Sequence, residues 1–420
     1  MKRLLGIALL FVACAHVPPA SLDTHAHEYV RLVLALGEHD ADWVDAYYGP
    51  PELREAAKGE KRTLGDIHAA ATALRAEVES VPVPADRIVA LRRNYLLEQL
   101  TALVTKTEML QGKTFSFDEE VRRLYGVVLP RREDAHFERV LQELERAVPG
   151  EGSLLERVEA YRSRFYVPAD KVDAVIQAAL KECRVRTLAH IELPAAESFS
   201  LEYVKDKPWS GYNWYKGNFT SLIQINTDLP MGVQRGLDLA CHEGYPGHHT
   251  YNVLLEKNVV RDRGWIEYTV YPLNSPQSLI AEGSGNYGLE LAFPGEERMR
   301  FDRDVLFPIA GLDQREAARY YEMLRLIGEL SYASNEAARR WLDGEMTRDE
   351  AKTWLMRNGL STAERAEQQM KFIERYRSYV INYNFGLDLV RAHVEKSGDR
   401  WTAFEEMIST PMLPSNLERE

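Results

Sequence analysis

From His25 to about Cys183 apolar residues return at three- and four-residue steps, a spacing that only a helix turns into a continuous buried face. Runs such as Arg87 to Gly112 and His136 to Val148 carry the pattern without a break. Tyr48-Gly49-Pro50-Pro51, Val81-Pro82-Val83-Pro84 and Pro149-Gly150-Glu151-Gly152 interrupt it. Proline lacks the amide proton that a helix needs, and glycine loosens the backbone.

Between Glu197 and Leu229 the texture changes. Phe199 to Val204 alternates, and Thr220 to Asn226 is short and β-branched. An aromatic, glycine-containing stretch, Trp209 to Phe219, lies between them. These features predict a single sheet, with Gly217 to Leu229 as an edge strand able to pair an extended peptide. Helices return after Pro230 and dominate from Gln314 to His393. The expected fold is mainly α, with one small antiparallel β-sheet beside the central motif.

Residues 1–20 follow another logic. Met1-Lys2-Arg3 is basic, and Leu4 through Val12 is small and apolar but far shorter than the roughly 20 residues a membrane span requires. A secretory signal fits. Phe11-Val12-Ala13-Cys14 resembles the lipobox of bacterial lipoproteins. That resemblance implies a signal peptide over 1–13, lipid on Cys14, a tether over 14–22, and an exported body held to the membrane by its anchor alone. Net charge is −12, which leaves no basic footprint for nucleic acid. Cys183 and Cys241 remain, and two cysteines of an exported chain can pair. Cys241 lies on the apolar side of its helix and reads instead as a small buried residue.

Residues 237–252 read Leu-Asp-Leu-Ala-Cys-His-Glu-Gly-Tyr-Pro-Gly-His-His-Thr-Tyr-Asn. Val233, Leu237, Ala240 and Cys241 share one helical face, and Asp238 and His242 fall opposite. In H-E-x-x-H zinc peptidases two histidines one turn apart bind one metal, and the intervening Glu is the general base. Here His248 follows His242 by six residues, which an unbroken helix would place about 9 Å along the axis and about 120° around it. Two imidazoles so placed cannot share an ion at bond lengths of about 2.1 Å. Pro246-Gly247 offers a remedy. Proline removes the hydrogen bond to the His242 carbonyl and glycine can take positive φ, so the helix can buckle and bring His248, or His249, back over His242.

A third ligand must come from elsewhere. Ser275-Pro276 is a helix start, N-cap then proline. The helix it opens carries Glu282, with Gly283, Gly285 and Gly288 where another backbone is expected to pass close by. Asn286, one turn on, can hydrogen-bond a ligating histidine.

His242-Glu-Gly-Tyr-Pro-Gly-His-His249 followed by Ala281-Glu282-Gly283 resembles domain-of-unknown-function family eight hundred and eighty-five, a mostly helical bacterial family similar to the gluzincin metallopeptidases. Its pattern is H-E-x-x-P-G-H and then E-G-W about forty residues on. The resemblance implies a zincin-like fold, Zn2+ held by His242, His248 and Glu282, and Glu243 as base. It runs from about Gly211 to Gly386, where Tyr383 and Gly386 match a late Tyr and Gly. Ser284 stands where Trp is usual and Tyr251 where Gln often follows. The expected organisation is an N-terminal helical lobe over 23–190 and a metallopeptidase-like lobe over 191–420.

The expected function is zinc-dependent hydrolysis of a peptide or small amide, with Glu243 moving the proton and Tyr383 stabilising the oxyanion. Arg377 and Tyr379 read as structural. A zinc hydrolase of a non-peptide amide or ester is the alternative, as is a tethered binding protein whose metal is structural or absent.

Overall fold

A computed structural model describes residues 21–207 and 209–417; the expected signal segment and Cys14 lie outside them. The fold is mainly α with small sheets. The first half is helical: α1 (Leu22–Gly37), α2 (Pro51–Glu60), α3 (Leu64–Ser80), α4 (Arg87–Leu110), α5 (Phe117–Tyr125), α6 (Asp134–Ala147), α7 (Leu154–Ser163) and α8 (Val172–Leu188). Helices α4 and α6 coincide with the two periodic runs singled out in the sequence. The second half holds α9 (Gln234–Leu239), α10 (His248–Leu255) and α11 (Pro276–Ala292). After it come α12 (Glu297–Phe301), α13 (Phe307–Ala310), α14 (Ala317–Glu329), α15 (Ala333–Leu342) and α16 (Arg348–Asn358). The chain closes with α17 (Ala363–Tyr376), α18 (Ile381–Val394), α19 (Arg400–Ser409) and α20 (Pro414–Leu417). No helix of the described residues is long and apolar enough to cross a membrane.

Among the described residues there are five strands: β1 (Val44–Tyr47), β2 (Ser198–Val204), β3 (Gly211–Gly217), β4 (Thr220–Asn226) and β5 (Val270–Pro272). Strands β3 and β4 form the expected antiparallel pair, and β2 joins β4 in parallel, giving the order β2-β4-β3. The expected edge, β4, is therefore the central strand. It is paired on both sides, with Ser221, Ile223 and Ile225 turned inward at period two. The edge nearest the central motif is β3. A second ribbon, β1 with β5, is antiparallel. Its short strands lie too far apart in sequence for alternation to reveal them.

Buried side chains form two clusters. The smaller joins α1, α2, α3 and part of α4 with Val270. The larger runs from Leu91 to Leu417, across residue 190, and contains the central motif.

Cys183 and Cys241 are disulfide-bonded, contrary to the reading of Cys241 as a lone buried residue. The apolar face of the motif helix packs on α8, which carries Cys183 to it. The bond closes a loop with a sequence separation of 58 residues. On chain-entropy grounds such a closure stabilises by about 4 kcal/mol. Cys183→Ala with Cys241→Ala is expected to lower the unfolding midpoint accordingly, read by calorimetry against the oxidised protein.

Candidate metal centre

The motif does not run as one helix. α9 ends at Leu239, a π-turn covers Ala240–Gly244, and α10 starts afresh at His248. The Tyr245–Pro246 peptide between them is cis. Gly247 keeps a negative φ of −76°, so it is not there for positive φ as the sequence suggested. It is there for contact: a Cβ on it would lie 2.0 Å from the His242 carbonyl oxygen and 2.4 Å from that of Cys241. This close fold-back returns His248 to His242, their ring centres 4.6 Å apart.

Glu282 arrives from α11. Ser275 starts that helix but does not cap it, since its hydroxyl donates to the Pro272 carbonyl. The three glycines each meet a different neighbour. A Cβ at Gly283 would come within 2.4 Å of the Gly386 carbonyl of α18. At Gly285 it would press the His242 ring at 3.0 Å, and at Gly288 the Pro246 ring at 2.9 Å. Glycine thus lets α11 approach close enough for Glu282 to reach both histidines.

His242 Nε2 lies 3.3 Å from Glu282 Oε2, and His248 Nε2 lies 3.8 Å from Glu282 Oε1. The three ligand atoms all fall within 4.8 Å of one another. Tetrahedral zinc with bonds of about 2.1 Å separates its ligand atoms by about 3.4 Å. The spacing fits.

Hydrogen bonding sharpens the fit. Asn286 Nδ2 donates to the Tyr383 carbonyl at 2.8 Å, which turns its Oδ1 to His242 Nδ1 at 3.0 Å. With its proton held there, His242 presents the Nε2 lone pair to a carboxylate. Glu282 Oε2 is itself buried with no hydrogen-bond partner. Two acceptors facing each other in a buried site require a cation between them. A proton answers the same need: burial would lower the His242 pKa, but the Glu282 carboxylate 3.3 Å away and the Glu243 charge raise it to about 9. Burial and the charge of His242 push His248 the other way, to about 4.

His249, the open alternative, points elsewhere. It is fully buried, with Nδ1 2.8 Å from Ser221 Oγ and Nε2 2.9 Å from Glu197 Oε2. Those contacts pin α10 to the sheet. Asp238, behind His242, is ion-paired to Arg298 at 2.6 Å.

Glu243 is buried beside β3, where a Cβ at Gly211 would approach its Oε1 to 2.9 Å. Burial, reinforced by Glu282 against the opposing His242, raises its pKa to about 7. Tyr383 is 40% exposed as a residue, yet desolvation of its phenol, with the Glu282 and Glu243 charges behind it, keeps that group protonated.

Tyr379 is more than the packing residue expected. Its hydroxyl donates to Glu282 Oε1 at 2.9 Å. Its position rests on Glu120, a fully buried carboxylate that accepts from Arg377 Nε at 2.7 Å and Ser378 Oγ at 2.6 Å. Those bonds hold Arg377 at φ +52°, which turns the chain out of α17. Arg377 is structural, as read. The spacing of Tyr379 and Tyr383, one helical turn apart on one face, was the available signal. Outer-shell partners of metal ligands commonly contribute about 10- to 100-fold in affinity. Tyr379→Phe and Asn286→Ala are each expected to weaken zinc binding in that range, measured by competition with a chromophoric chelator.

No family model matches the chain, and no curated protein matches it. Among solved structures, one of a lipoprotein candidate from Colwellia psychrerythraea superposes with a TM-score of 0.53 at 14% identity, covering 87% of this chain and 65% of that one. This chain thus spans just under two thirds of that protein's length. A lipoprotein candidate of unknown function from Shewanella oneidensis gives a TM-score of 0.47 at 13% identity, covering 87% of this chain and 74% of that one.

Proposed function

We propose that this chain is a zinc-dependent hydrolase of peptide or amide bonds, exported and held at a membrane by lipid on Cys14. One observation carries the reading: His242, His248 and the buried Glu282 converge, with their ligand atoms all within 4.8 Å of one another. The resemblance of the H-E-x-x-P-G-H segment to a gluzincin-like family supports it. The description of the Colwellia neighbour as a lipoprotein candidate is in line with the anchor.

His242, His248 and Glu282 would hold the ion. When bound, zinc polarises a carbonyl and acidifies water. Glu243 takes the proton of the attacking water and hands it to the leaving amine, and a carboxylate with a pKa drawn up to about 7 is suited to both transfers. Tyr383, kept protonated, donates to the oxyanion of the tetrahedral intermediate. The β3 edge beside Glu243 offers backbone groups to an extended substrate.

Metal analysis of the purified protein, then profiling against peptide and N-acyl libraries, tests this. One equivalent of zinc and cleavage of one amide class are expected. A protein that takes up no zinc overturns the reading.

A further inference from the structure

Three acids stand close together ahead of α2, and two of them are occupied. Asp40 is paired with Lys106 at 2.8 Å, and Asp42 takes Arg375 through two bonds of 2.7 and 2.6 Å. Asp45 is different. It sits on β1, half-buried, and accepts a hydrogen bond from the Tyr212 hydroxyl. Among the described residues no lysine, arginine or histidine forms an ion pair with it.

Its place relative to the metal centre follows from β3. Gly211 touches Glu243, and Tyr212, the next residue, reaches Asp45. On the other side Tyr271, on the partner strand β5, has a buried hydroxyl without a hydrogen-bond partner and senses both Glu282 and Asp45. Arg375, the neighbour of Tyr376, is held on Asp42 just ahead of β1. Tyr212 lies tilted against Trp214 with ring centres 4.4 Å apart, and Tyr376 lies 4.9 Å from Phe372. A carboxylate without an ion-pair partner among the described residues thus carries the Tyr212 hydroxyl, on a strand paired with that of Tyr271, and Tyr212 is next to the residue of β3 that lies against Glu243.

That is the chemistry that recognises an organic cation. A carboxylate supplies the charge-assisted hydrogen bond that an ammonium requires. Burial raises the Asp45 pKa to about 6 against the Tyr212 hydrogen bond, as befits an acid with no cation of its own. Glu243 and Glu282 already have work in the proposed reaction, whereas Asp45 has none there.

We infer that Asp45, with Tyr212 beside it, binds an organic ammonium group, so that substrates of this hydrolase carry a free amine near the bond that is cut. The inference rests on the hydrolase reading for its chemistry but not for the binding itself. The amine is either a free α-amino terminus or a basic side chain, and both offer the same group.

The test is calorimetry on the full mature chain carrying Glu243→Gln, with and without zinc, using three probes. Phenylalaninamide has an α-amine, N-acetyl-lysinamide only a side-chain amine, and N-acetyl-phenylalaninamide neither. One amine probe is expected to bind about tenfold or more tighter than the neutral one, in line with a hydrogen bond to a charged group. Which of the two binds tighter identifies the source. Adding Asp45→Asn should erase the preference while zinc content and unfolding midpoint stay put. Equal binding of all three probes, or a preference that survives Asp45→Asn, overturns the inference. Failure to take up zinc overturns the hydrolase reading instead, and the metal-free titrations still decide the amine site.

Discussion

Glu243→Gln is expected to cost about 10²- to 10⁴-fold in turnover, the usual worth of a positioned general base, while leaving zinc content unchanged. The separation of the two effects comes from the geometry. Glu243 is adjacent to a ligand in sequence, yet the three ligand atoms that converge belong to His242, His248 and Glu282. The amide keeps the shape of the carboxylate and its place beside Gly211, so the π-turn is left intact. Only the ability to accept a proton is removed. Single-turnover kinetics on the best library substrate, with metal analysis of the same sample, give both numbers. Turnover within a few-fold of the parent would deny Glu243 its role.

The second large effect lies in the backbone. Gly247→Ala must move either the His242 carbonyl or the new methyl, because the two cannot coexist at 2.0 Å. That carbonyl belongs to a ligand, and the Gly247 amide is tied to the Cys241 carbonyl at 2.9 Å. Relief therefore parts His248 from His242. Overpacking typically costs about 1–3 kcal/mol, and a backbone collision sits at or beyond the upper end. Zinc affinity is expected to fall by more than about 100-fold, past the range for outer-shell changes. Gly328→Ala is the control: it lies in a helix, a Cβ there meets nothing within 4 Å, and both zinc affinity and stability should be kept. Chelator competition and thermal unfolding on the three proteins decide the matter.

The sequence disclosed what is local. Helices α4 and α6 are long enough for periodicity to mark them. The spacing of His242 and His248 demanded a break at Pro246-Gly247, and Asn286 lies one turn from Glu282 by helical geometry alone. What stayed hidden depends on partners distant in the chain. Asp45 meets Tyr212 across 167 residues, and Tyr379 meets Glu282 across 97. The centre of the sheet is β4 because β2 pairs with it in parallel, and strand pairing leaves no trace in a run of β-branched residues. Cys241 looked solitary because its position on an apolar face says nothing about which helix covers that face.

Helix α11 carries a lesson for anyone altering this protein. Elsewhere, exchanging a mid-helix glycine for alanine is a routine way to gain up to about 1 kcal/mol of propensity. Along this helix the sign reverses, since every methyl added would displace a crossing backbone, an imidazole or a proline ring. Stabilising substitutions chosen from helix preference alone would therefore do their greatest harm in the segment where the preference score most invites them.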